Sequence, residues 1–67
     1  MMKIILNGEP RSVAEPTTIS ALVQKLNLIP ATLLIEHNGF ALHREEWNSH
    51  ALREGDKVEF IRVVAGG

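Results

Sequence analysis

The residues in this chain that could do chemistry are few. Cysteine is absent from its 67 residues, which excludes a thiolate nucleophile, a disulfide framework and any Cys-ligated zinc or iron–sulfur site. The three histidines, His37, His43 and His50, invite a metal reading. No carboxylate or Cys completes a ligand pattern around them at a familiar spacing. The doublet Glu45-Glu46 reads as a solvated turn rather than a general acid–base pair. Gly8, Gly39 and Gly55 stand singly at turns, so no phosphate-cradling loop is formed. Trp47 is expected to cap one edge of a thin core, its N–H on a carbonyl.

What remains is the terminal pair Gly66-Gly67. At a glycine frequency of about 7%, two glycines fall on two given positions in roughly one chain in 200. A frayed end is the alternative reading. The pair follows closely on a predicted strand, so a rigid body would aim it outward. Glycine has a physical use there. Without a Cβ, Gly66 and Gly67 can thread a narrow channel in another protein and adopt φ values that other residues refuse. The acyl carbon of Gly67 is unhindered. A terminal carboxylate, with an ordinary pKa of about 3.3–3.7, is ionised at neutral pH and is a poor electrophile. It must be activated, and adenylation with ATP and Mg²⁺ on a partner enzyme is the natural route. No internal thiol could capture the activated acyl group.

The elements that would position this tail follow from pattern. Lys3 to Asn7 is β-rich, Asn7-Gly8 is a turn signal that Glu9-Pro10 extends, and Arg11 to Ala14 reads as the returning strand. Met2, Ile4 and Leu6 share one face of the first strand; Lys3, Ile5 and Asn7 share the other. Thr17 or Thr18 can cap a helix of about three turns, with Ile19, Leu22, Val23 and Leu26 as its apolar stripe. Asn27 suits a left-handed end, and Pro30 forbids continuation. Leu33 to His37 and Phe40 to Leu42 form a second hairpin about Asn38-Gly39. Arg44 to Leu52 is irregular or one helical turn, Glu54-Gly55-Asp56 is a turn, and Lys57 to Val64 is the last strand. One helix across one mixed sheet is an α+β roll. With the last strand beside the first, it becomes a β-grasp arrangement of four to five strands.

Composition bounds the function. A chain this short buries only about 60% of its unfolded surface, leaving no room for a deep active site. Apolar residues at 45% and charged residues at 22% are ordinary for a globular domain. A net charge of −1 argues against a nucleic-acid partner, which calls for a basic face. No run approaches the roughly 18 apolar residues of a membrane span, and the N-terminal run is too short for a signal-peptide core. A single cytoplasmic domain over residues 1–67, monomeric when free and with a flexible tail at 65–67, is expected.

With order and tail in hand, the chain resembles the β-grasp sulfur carriers of the ubiquitin-like superfamily, and most of all the ThiS family of thiamin (thiazole) biosynthesis. The residues that carry this are Lys3-Ile4-Ile5-Leu6-Asn7-Gly8-Glu9, Thr18-Ile19-Ser20-Ala21-Leu22-Val23, and Asn38-Gly39 followed by Arg44-Glu45-Glu46-Trp47. Glu54-Gly55-Asp56-Lys57-Val58-Glu59 and Val64-Ala65-Gly66-Gly67 complete the set. His37 stands where the family usually has an aliphatic residue, and His43 where Pro is common. The resemblance implies a carrier rather than an enzyme, with no cofactor of its own. A ThiF-type enzyme would adenylate Gly67, using ATP and Mg²⁺. Sulfur from a persulfide donor would displace AMP to leave a thiocarboxylate, and thiazole synthase would take that sulfur. Ala65 and Gly66 would lie in the partner's channel. Ile5, Ile61 and Val63, on the sheet face away from the helix, are the expected docking surface. The small subunit of molybdopterin synthase, a protein-conjugated modifier and an interaction module with an idle Gly-Gly remain open alternatives.

Overall fold

The computed structural model describes residues 1–63. The expected tail, with Val64, Ala65, Gly66 and Gly67, lies outside the described residues. Five strands and one helix form the fold: β1 Met2–Leu6, β2 Glu9–Val13, α1 Ile19–Lys25, β3 Leu33–His37, β4 Phe40–Leu42 and β5 Lys57–Arg62. Short 3₁₀ turns at Pro30–Thr32 and Arg44–Glu46 complete it.

The sheet order is β2-β1-β5-β3-β4. β5 pairs parallel with β1 and antiparallel with β3, so the strand that leads to the tail occupies the centre. The arrangement is the expected β-grasp, a mixed sheet with one helix across it.

Both hairpins turn on an Asn-Gly pair. Asn7 and Gly8 have φ of 50° and 82°, Asn38 and Gly39 of 51° and 87°. Positive φ at both central positions gives the twist that matches paired strands. β2 starts at Glu9 rather than Arg11 because this two-residue turn is complete at Gly8. Pro10 is tolerated inside β2 because β2 is an edge strand, where a missing N–H costs no ladder bond.

α1 is shorter than its stripe suggests. Thr18 Oγ1 accepts from the Ala21 N–H at 3.1 Å and fixes the start. Asn27 takes φ 56°, so the regular helix ends at Lys25 after seven residues. That is about two turns rather than three. Ile19, Leu22 and Val23 are buried, and Leu26 is half-buried. They close on Met2, Ile4, Leu6, Val13, Leu33, Ile35 and Val58 from the sheet. Trp47 and Leu52 seal the remaining side. Trp47 Nε1 donates to the Leu42 carbonyl at 3.4 Å, and the Arg44 guanidinium carbon stands 5.4 Å from its ring centroid. No helix among the described residues is long and apolar enough to cross a membrane.

Candidate functional site: the stalk that presents the terminus

β5 is bound along its length. Five residue pairs tie it to β3, from Leu33↔Arg62 to His37↔Val58. On the other side, Ile5 N–H donates to the Asp56 carbonyl at 2.8 Å and Asn7 N–H to the Val58 carbonyl at 2.9 Å. The two turn asparagines reach in from opposite flanks. Asn7 Oδ1 accepts from Phe60 N–H and Asn38 Oδ1 from Lys57 N–H, each at 2.8 Å. Beyond the strand, Val63 N–H still donates to the Thr32 carbonyl at 2.8 Å. The chain is thus anchored up to the residue before Val64.

The outer sheet face, away from α1, carries the residues assigned to docking, but not as one patch. Ile61 is 43% and Val63 49% exposed. Ile61 stands opposite Leu34 of β3, itself 57% exposed. Ile5 is half-buried and lies opposite Pro10 on one side and Lys57 on the other. Ile61 is four residues past Lys57, about 13 Å further along the strand. Ile5 is therefore on the neighbouring strand, as expected, but at the far end. The contiguous apolar patch is Leu34, Ile61 and Val63. Leu34 was missed because its strand reads as an unbroken apolar run. Alternation against Leu33 and Ile35 would have found it.

The histidines are partly brought together. His37 Nε2 lies 2.9 Å from Asp56 Oδ2, and the His37 and His50 rings meet edge to face with centroids 4.7 Å apart. His43 stands elsewhere, at the head of the second 3₁₀ turn, where its backbone N–H donates to Glu46 Oε1 at 2.9 Å. Asp56 also accepts from Arg53 N–H at 2.9 Å and from Asn38 Nδ2 at 3.2 Å. Burial works to raise the Asp56 pKa. The bonds from His37, the Arg53 amide and Asn38, together with the His37 charge, outweigh it and hold the carboxyl below its ordinary value. Among the described residues no group of three or more side chains is set to hold a metal ion. This cluster binds the turn before β5 to the hairpin beside it. It is a structural latch at the foot of the stalk.

The ThiS family model matches residues 4–67. The sulfur carrier protein ThiS of Escherichia coli is 29% identical over 66 residues, covering 98% of this chain and all of that protein. A thiazole synthase of Magnetococcus marinus is 33% identical over 66 residues. This chain spans only a fifth of that enzyme's length, and the same holds for the thiazole synthase of Paramagnetospirillum magneticum. Among solved structures, the thiamine biosynthesis protein ThiS of Geobacter metallireducens superposes with a TM-score of 0.84 at 33% identity, covering 98% of this chain and 100% of that one. A β-grasp body and a family match that runs from residue 4 through Gly67 together establish that the chain belongs to the ThiS family.

Proposed function

We propose that this protein is a sulfur carrier of thiamin thiazole biosynthesis, with the carboxylate of Gly67 as its reactive group. The observation that carries the reading is the stalk: backbone bonds hold the chain up to Val63, and Gly66-Gly67 follows it in the sequence. A carboxylate oxygen of Gly67 attacks the α-phosphorus of ATP on a ThiF-type enzyme, and pyrophosphate leaves. The terminal sulfur of a persulfide donor attacks the acyl carbon, and AMP leaves. A second thiol then attacks the donor-side sulfur of the acyl disulfide, so that the thiocarboxylate is released and the donor and that thiol are left joined as a disulfide. The resulting thiocarboxylate gives its sulfur to thiazole synthase. ATP and Mg²⁺ belong to the adenylating enzyme; this chain supplies the acyl group and the handle. The likeness to parts of two thiazole synthases supports that enzyme as the acceptor. The cycle belongs to the cytoplasm, where ATP and persulfide are at hand.

Loading is tested by intact-mass measurement after incubation with the ThiF-type enzyme, ATP and a persulfide donor. The expected result is a gain equal to one oxygen exchanged for sulfur, localised to Gly67. Deleting Gly67, or replacing Gly66 by Val, should abolish that gain and leave the melting temperature unchanged. Loading of a chain that lacks Gly67 would refute the reading. The patch of Leu34, Ile61 and Val63 is the docking surface for loading. Ile61→Asp should lower kcat/KM for adenylation about tenfold while the circular dichroism spectrum is retained.

A further inference from the structure

α1 is too short to cover the whole inner face of the sheet. It gives way to Asn27, whereas β5 runs on to Arg62. The inner-face positions of β5 are Val58, Phe60 and Arg62; the first is buried, the second half-buried and the third exposed. On edge strand β2, Arg11 stands opposite Ile4, so it too is on the inner face, and it is exposed. Both arginines line one groove, with Leu6, Leu28, Leu33 and Phe60 among the apolar residues around it. Among the described residues, no ion pair engages either guanidinium. Two forked cations over an apolar floor match a carboxylate set beside an aliphatic or aromatic anchor.

We infer that this groove receives an acidic, apolar-anchored segment of the enzyme that adenylates Gly67. The inference rests on the carrier reading above. Position puts the groove within that partner's reach, and the exchange assay below reads the adenylating enzyme alone. Arg62 is five residues from Gly67, and five residues span at most about 18 Å. An active site that closes on Gly67 therefore brings its own surface against this end of β5. The patch of Leu34, Ile61 and Val63 lies on the opposite sheet face, so the enzyme straddles the strand that carries its substrate. A purely structural role, in which the arginine stems cover the core edge and the heads stay in water, makes no use of the positive charge.

The test is ATP–pyrophosphate exchange by the purified ThiF-type enzyme, with the whole 67-residue chain as substrate. Arg11→Glu and Arg62→Glu should each raise the KM for the carrier about tenfold with kcat unchanged, and Arg11→Lys should restore most of the loss. KM for the unaltered chain should rise with salt. Arg11→Gln provides the same comparison should charge reversal disturb folding, which melting curves report. An unchanged KM in the charge variants, or a KM indifferent to salt, overturns the groove assignment. Deletion of Gly67 separates the two levels. If it abolishes exchange while the arginine variants are normal, the carrier reading stands and the groove assignment falls. If exchange survives the deletion, both fall.

Discussion

Asp56 gathers the polar bonding at the foot of the stalk. Its carboxylate accepts from one side chain 19 residues away, a second 18 away and one backbone amide, and only 8% of its surface is exposed. Removing the charge weakens three bonds that converge on a buried carboxylate, a loss of about 1–3 kcal/mol. Because the folded pKa is lowered, the contribution is present above the unfolded value of about 3.9 and is lost as pH falls through the folded value. Asp56→Asn should therefore melt well below the parent chain at neutral pH. The gap should narrow in melts at progressively more acid pH. In the sequence, Asp56 was legible only as a turn residue. Its partner His37 depends on the β3–β5 register, which local pattern does not report. The same holds for Asn7 and Asn38, each legible as a turn former but not as a side chain that bonds to β5.

At the scale of elements, α1 depends on its cap. Thr18 satisfies one of the free first-turn amides, and seven residues leave little intrinsic stability to absorb its loss. Thr18→Ala should cost about 1 kcal/mol, seen as a fall of about 4–8 °C in Tm for a domain of this size. At the second hairpin, Gly39 has φ 87° with open space where a Cβ would sit. Gly39→Val should still destabilise by about 1–3 kcal/mol, through backbone strain rather than collision. Chemical denaturation would measure it. Both features were legible because caps and Asn-Gly turns are local chemistry. The length of α1 was not. Leu26 continues the stripe, but Asn27 turns left-handed immediately after it, and the last apolar position is spent on the cap.

Across the whole molecule, position in the sheet decides which side chains can act together. Ile5 and Ile61 share a face and sit on adjacent strands, yet the parallel register places them at opposite ends. Leu34 takes the place beside Ile61. Leu34→Asp should reduce kcat/KM for adenylation about tenfold with Tm nearly unchanged, since the side chain is 57% exposed. The same change at Ile5 should leave adenylation largely intact. Loading kinetics of the two variants side by side check this. The neighbouring of the last strand and the first was readable, because a crossover helix leaves few arrangements; the full strand order came only with the structure. Register was not readable, being set by long-range backbone pairing.

The central position of β5 has a consequence for biogenesis. A ribosome releases residues 57–62 only after both of their neighbours have emerged, and until then β1 and β3 each expose an unsatisfied edge. Such edges invite association with other chains. The body can lock only once its final strand inserts like a keystone between them. A polypeptide broken off before that point is then sticky and open to proteolysis rather than a stable fragment.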